Sequence, residues 1–197
     1  GGVASRCEVR LGPEPVAGQA LAGGVEQRDL DHRERLAAPG AHSFIIVLDS
    51  LKPHFNVGKI FRSADAFGAR EVHLIGIDFF DPAPSMGSFK WVPARFHEHF
   101  AGVHNELVAR DYRLFALEPE KGRPLHTEPL PPRSAFIFGH EEYGLSFDPA
   151  DYPDIRPLTI PQFGRVQSLN VSNAASVVMW EFLRRYHLDN PPPRPPI

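Results

Sequence analysis

The spacing of apolar and polar positions divides the chain into strands, loops and helices. Residues 43–49 (S-F-I-I-V-L-D) form a nearly unbroken apolar run, the pattern of a strand buried on both faces of a sheet. After a loop over 52–55, Asn56 stands where a helix cap is expected. Val57, Ile60, Phe61, Ala64 and Phe67 then recur at helical spacing, and Gly68 supplies a stop. Residues 71–77 form the next strand, and this strand–helix–strand unit implies a right-handed parallel crossover. Residues 78–93, broken by Pro82, Pro84 and Gly87, read as loop. A helix over 101–111, a strand over 112–117, a proline-rich loop over 118–133 and a buried strand over 135–138 follow. The last strand spans 156–160.

Beyond Pro161 lies a loop holding Gly164, Arg165 and Gln167, and from Ser168 the period changes. Leu169, Ser172, Ala175, Val178, Met179 and Phe182 fall on one helical stripe, with Ser168 or Asn170 placed to cap the first turn. Small residues at Ser172, Ala175 and Ser176 allow another helix close approach. A strand, a polar loop and a helix N-terminus with free N–H groups make a place to hold a polar ligand. The fold class is therefore α/β, a parallel sheet flanked by helices, in one domain over 42–188. Residues 1–41 are expected to be a partly mobile extension in which only 25–38 hint at a helix. Residues 189–197 are a proline-rich tail of polyproline character.

Composition alters this picture little. At 42% hydrophobic and 23% charged, a chain of 197 residues can bury a substantial core. The only cysteine, Cys7, excludes an internal disulfide. No apolar run approaches the ~20 residues of a membrane span, and no stretch carries the pattern of a secretory leader, so a cytoplasmic location is expected. The formal charge of −3 does not suggest a nucleic-acid binder, since phosphate neutralisation dominates such affinity. A local patch could still come from Arg62, Arg70, Lys90, Arg95, Arg133 and Arg165.

Candidate chemistry gathers in three clusters where strands end. The first is Asn56-x-Gly58-x-x-x-Arg62. It is not a phosphate-binding loop, because Pro53 stands where the earlier glycine belongs and Ile60 where a magnesium-binding hydroxyl belongs. The second is Gly139-His140-Glu141-Glu142-Tyr143-Gly144-Leu145, which offers a carboxylate at the carboxyl end of a parallel sheet. The third is the loop with Gln167, Ser168 and Asn170. No G-x-G-x-x-G supports a dinucleotide site, and Asp49, His140 and Ser168 lack the elbow motif of a serine hydrolase. His97-Glu98-His99 has no third ligand in reach along the sequence, so these are expected to be surface residues and no metal is expected.

In order and spacing, N-V-G-K-I-F-R-S-A-D-A-F-G-A, F-G-H-E-E-Y-G-L-S and I-P-Q-F-G-R-V-Q-S-L-N-V-S-N-A-A resemble the three signature motifs of SpoU/TrmH-type RNA ribose 2′-O-methyltransferases of the SPOUT superfamily. Gly87-Ser88 followed by Trp91 resembles an intermediate segment of that family, and the resemblance covers about 43–186. It implies a C-terminal deep trefoil knot, S-adenosylmethionine as cofactor, an RNA substrate (tRNA first, rRNA next) and a homodimer whose active site is completed across the interface. By position it implies cofactor contacts at Leu117, Gly139, Ile160, Ser168 and Leu169. It assigns Arg62 to the ribose hydroxyl, with Glu141, Ser168, Asn170 and Asn56 as the remaining polar set. Arginine holds its proton to a pKa above ~12, so gripping phosphate and stabilising an alkoxide suit Arg62 better than acting as base. His140 and Glu142 depart from the small residues expected beside the family's glutamate, and Asn173 stands where an apolar residue is commoner. The alternative is a SPOUT-fold RNA-binding protein without methyl transfer, which the complete polar set argues against. A phosphotransferase is disfavoured by the missing phosphate loop.

Overall fold

A computed structural model describes residues 37–186, together with Val25–Glu26 and Pro192. In chain order the strands and helices are β1 (Val25–Glu26), β2 (Ile45–Asp49), α1 (Phe55–Ala66), β3 (Glu71–Ile75), β4 (Phe79–Phe80), β5 (Ala94–His97), α2 (Phe100–Ala109), β6 (Arg113–Leu117), β7 (Arg123–Pro124), β8 (Ser134–Phe138), β9 (Arg156–Thr159) and α3 (Val171–Tyr186). Seven strands form one sheet in the order β5-β3-β2-β8-β6-β9-β7, and every pairing in it is parallel.

The continuous apolar runs have the physical basis expected of them. All five residues of β2, of β3 and of β8 are buried, because helices cover both faces of the sheet. Alternate side chains separate into two cores. Ile46, Leu48, Leu74, Phe136 and Phe138 meet α1 and α3 on one face, while Ile45, Val47, Ala135 and Ile137 meet α2 on the other. Val57, Ile60, Phe61 and Ala64 form the buried stripe of α1, and Gly68 ends that helix with φ +64°, as its sequence position predicts. The small residues of α3 do admit a helix: Ser176 Oγ lies 2.9 Å from Ser63 Oγ of α1.

Several expectations are corrected. Asn56 is not the cap of α1, because the helix begins at Phe55 with His54 as a cap residue that makes no side-chain bond. The 25–38 stretch does not open as a helix: Val25–Glu26 pairs antiparallel with Phe79–Phe80, and the rest of it up to residue 36 lies outside the described residues. The 78–93 loop holds β4 and two 3-10 turns, Ala83–Ser85 and Ser88–Lys90, and the 118–133 loop holds β7. Residues 37–41 pack on the domain, with Gly40 N donating to Ala69 O at 3.2 Å. A Cβ on Gly40 would meet that oxygen at 2.2 Å, so the close approach needs glycine. The tail reading concerns residues that, apart from Pro192, lie outside those described. Among the described residues no helix is long and apolar enough to cross a membrane.

The end of α3 is fastened to the loop after β7. Arg185 donates to the carbonyls of Leu125 and Glu128, and Tyr186 Oη to that of Leu130. Glu128 is buried and ion-paired to Arg156 at 2.7 Å and Arg123 at 3.2 Å. On the opposite edge of the sheet, Glu71 and His73 are buried on β3, and His97 of β5 is half-buried. Burial alone would raise the Glu71 carboxyl, but hydrogen bonds from His73 and Arg110 outweigh it and hold the group at about 2. His97 is therefore not the surface residue its sequence context suggests, whereas Glu98 and His99 are exposed. Burial and then repulsion from His73 hold His97 below its ordinary value.

Candidate active site at the strand ends

The carboxyl ends of β6, β8 and β9 open into a cavity of about 450 Å³. Three loops build it, 117–121 after β6, 138–145 after β8 and 160–170 between β9 and α3, with Val171 at the start of α3. Every position expected to contact cofactor (Leu117, Gly139, Ile160, Ser168 and Leu169) lines this cavity. Its body is apolar, from Leu117, Phe138, Leu145, Phe147, Ile160 and Leu169, and its rim carries Glu118, Lys121 and Glu141. Gln162 also lines it, and its Oε1 is buried without a hydrogen-bond partner. A buried carbonyl left unpaired favours a ligand that brings a donor.

The loop after β8 closes on itself. His140 N donates to Gly144 O at 2.8 Å, and Gly144 N donates back to His140 O at 2.9 Å. Gly144 takes φ +74°, and a Cβ on Gly139 would come within 2.6 Å of Gly144 C, so both glycines are demanded by the turn. His140, a departure from the expected small residue, fastens the loop: its Nδ1 accepts from Glu142 N at 3.0 Å and Tyr143 N at 3.3 Å. Asp49, buried at the end of β2, accepts from Ser146 N at 2.7 Å. Asp49 and His140 are thus both occupied in shaping this loop, and no hydrolase relay links them to Ser168. The extra carboxylate of Glu142 is paired with Lys52 at 3.2 Å.

Three of the five predicted catalytic residues meet. Asn56 Nδ2 donates to Glu141 Oε1 at 2.7 Å, and Asn170 Nδ2 donates to Asn56 Oδ1 at 3.2 Å. Asn170 Oδ1 in turn accepts from Ser172 N at 3.0 Å and Ser172 Oγ at 2.6 Å, capping α3. The polarity of this relay is forced. An ionised carboxylate only accepts, so Asn56 turns its amine to Glu141 and its oxygen to Asn170. Asn170 then has its own oxygen left for the helix N-terminus. Asn56, inside the first turn of α1, thus reaches a glutamate 85 residues away.

Ser168 lines the cavity beside this relay. Arg62 does not: it is exposed on α1, outside the cavity lining, and makes no ion pair with a described residue. Two of the basic residues proposed for a patch are engaged elsewhere. Arg95 bonds Glu71 at 3.2 Å, and Arg133 Nη1 donates to Arg110 O at 2.7 Å. Sequence reasoning missed Gln162 and the loop-fastening role of His140. Gln162 stood in a quoted motif, but a buried unpaired oxygen has no sequence signature.

The SpoU rRNA Methylase family profile matches residues 43–180. A tRNA (guanosine(18)-2′-O)-methyltransferase of Thermus thermophilus is 34% identical over 139 residues, covering 68% of this chain and 70% of that protein. A 23S rRNA (guanosine-2′-O-)-methyltransferase RlmB of Xylella fastidiosa is 30% identical over 165 residues, covering 81% of this chain and 65% of the relative. Among solved structures, the SpoU methyltransferase AviRb of Streptomyces viridochromogenes in complex with AdoMet has a TM-score of 0.65 at 25% identity. That match covers 77% of this chain and 60% of AviRb, so the chain spans less than two thirds of that enzyme. All three polar clusters lie inside the matched residues, and the chain belongs to the SpoU rRNA Methylase family.

Proposed function

We propose that this protein transfers a methyl group from S-adenosylmethionine to a ribose 2′-hydroxyl of RNA, with tRNA the first candidate and rRNA the second. The observation that carries this is the position of Glu141. It belongs both to the cavity wall and to the Asn56–Asn170 relay, so ligand binding and the polar set meet at one carboxylate. The relatives above act on guanosine ribose in tRNA and in 23S rRNA. An enzyme with those substrates works where they are, in the cytoplasm.

Leu117, Gly139, Ile160, Ser168 and Leu169 would hold the cofactor, with strand-end main-chain groups reading the adenine edge and Gln162 Oε1 accepting from a donor on the ligand. When bound, the cofactor supplies an electrophilic methyl group. The chain aligns the ribose hydroxyl with it, an effect worth up to ~7–11 kcal/mol in favourable systems. Arg62 grips the neighbouring phosphate and stabilises the developing alkoxide, while Glu141, Ser168, Asn170 and Asn56 orient it and the ribose.

Arg62 stands outside the cavity of its own chain, so this reading includes a homodimer in which Arg62 of a second copy completes the site. An exposed apolar face supports it: Val177 and Trp180 on α3 are 42% and 49% exposed, and Phe163 on the preceding loop is 98% exposed. The trefoil knot belongs to the same reading, and the anchoring of Arg185 and Tyr186 to carbonyls in the 118–133 segment is in keeping with it. An experimental chain trace with 160–186 passing beside that segment, not through it, would remove the knot.

The test is transfer of labelled methyl from S-adenosylmethionine to total tRNA and, separately, to rRNA, followed by nucleoside mass analysis. A 2′-O-methylated nucleoside is expected. Methyl on a base would overturn the reaction assigned. Cofactor binding without transfer to either pool would favour the RNA-binding alternative.

A further inference from the structure

The sheet edge remote from the cavity carries a polar cluster that methyl transfer does not use. His73 and Glu71 lie on β3, His97 on β5, Glu106 on α2 and Arg110 just past the end of α2. His73 Nε2 stands 3.1 Å from Glu71 Oε1, and His97 Nε2 stands 3.0 Å from His73 Nδ1. The Glu71 carboxylate accepts, so Nε2 of His73 carries the proton and Nδ1 is a bare lone pair directed at His97. A carboxylate placed behind an imidazole in this way fixes the tautomer and ring orientation of metal-ligating histidines.

Ligand atoms of His73, His97 and Glu106 all lie within 4.8 Å of one another. Two nitrogens each about 2.0–2.1 Å from one zinc ion stand roughly 3–3.4 Å apart, and the two imidazoles here are separated by 3.0 Å. We propose that His73, His97 and Glu106 form a site for a divalent transition metal of the zinc type, with Glu71 as the positioning residue behind His73. Two imidazoles and a carboxylate suit zinc or cobalt better than magnesium or calcium, which prefer all-oxygen shells.

Loading requires two local changes. The His97 proton moves from Nε2 to Nδ1, freeing the lone pair that faces His73. Glu106 Oε1 gives up part of its pairing with Arg110 at 2.8 Å and Arg95 at 3.4 Å. Arg95, with 51% of its side chain exposed, can swing into solvent. Glu71 and Glu106 are balanced by Arg95 and Arg110, so the arginines compete with the ion. The metal would clamp β3, β5 and α2 together and takes no part in methyl transfer.

The test is calorimetric titration of the chelator-treated full chain with zinc, and with cobalt monitored by its visible absorption. One ion per chain is expected, with a rise in melting temperature on binding. His97→Ala, at the sheet edge, should lose that ion and its thermal shift, while His99→Ala, an exposed neighbour, should keep both. Glu71→Gln should weaken binding about 10–100-fold, and Arg95→Ser should tighten it. Zinc bound equally by His97→Ala, or no zinc bound by the wild-type chain, overturns the proposal. Arg95→Ser is substituted outside the buried core, so it tests the competition even if Glu71→Gln fails to fold.

Discussion

The Glu141–Asn56–Asn170 relay and the Glu71–His73–His97 chain are both hydrogen-bonded series ending on a carboxylate, yet they lie in opposite environments. The first sits at exposed loop ends beside a cavity, and the second sits beneath α2 within the sheet. In solvent such bonds contribute little net stability, because water replaces them on unfolding. Under a helix, an ion left without its partner is costly. The exposed Glu141–Asn56 bond therefore adds little to the fold and is available for chemistry, whereas the buried series is committed to the fold.

The largest effect is expected at Glu71. Replacing it with alanine strips His73, Arg110 and Arg95 of a shared partner and should lower unfolding free energy by about 3–5 kcal/mol in denaturant titrations. Methyl transfer per folded molecule should be unchanged. A variant that is fully stable would place the Glu71 cluster on the same footing as the exposed relay.

Arg62→Ala should do the reverse. It is exposed and unpaired among the described residues, so stability should be untouched. Methyl transfer should fall about 10²–10³-fold or below detection, the effect of losing one donor to a developing oxyanion. Cofactor affinity, read by calorimetry, should stay within a few-fold. Lost cofactor binding would show that Arg62 acts on the ligand and not on the ribose.

Asn56→Ala sits between the two. It leaves Glu141 unpositioned, and misplacing an active-site group can cost up to ~10²-fold, so transfer should drop about 10–100-fold. The melting temperature should move little, because the relay is open to water. A large loss of stability with normal activity per folded molecule would make the relay structural and dissolve the distinction.

Legibility from the sequence divides along the same line. The helices α1 and α3 and the central strands were readable because apolar period is a local property. Val57, Ile60 and Phe61 on α1, like Val178, Met179 and Phe182 on α3, needed no knowledge of their partners. The cavity positions were readable through motif resemblance, since Gly139 and Ile160 carry no chemistry of their own. What escaped depends on register. His97 meets His73 because β5 pairs in parallel with β3, and the half-buried Ala94–His97 strand has no apolar signature to announce it. Asn56 reads as a cap because an asparagine at a helix start has the same local pattern whether it serves the helix or a glutamate 85 residues on. The strands β4 and β7, each of two residues, are too short for any periodicity.

The smallest effect, and the one that isolates charge from packing, is expected at Glu181 on α3. Its carboxylate accepts from Arg184 Nε at 2.7 Å and Arg185 Nε at 2.8 Å. The Arg184 hydrogen bond leads in holding it at about 2, below its ordinary 4.5, while partial burial opposes this. A depressed carboxyl pKa means that the ionised form favours the fold. The contribution is complete above pH 4.5 and disappears as pH falls through 2. Solvent screens the pair, so Glu181→Gln should lower stability by only about 0.5–1 kcal/mol at neutral pH. The wild-type and variant curves from urea denaturation should converge at the acid end of that window. A gap independent of pH would mean that Glu181 acts by packing beside Arg185, whose guanidinium also holds the carbonyls of Leu125 and Glu128. Convergence would show that even a screened carboxylate helps fasten the end of α3, with methyl transfer unaffected because the cavity lies at the other end of that helix.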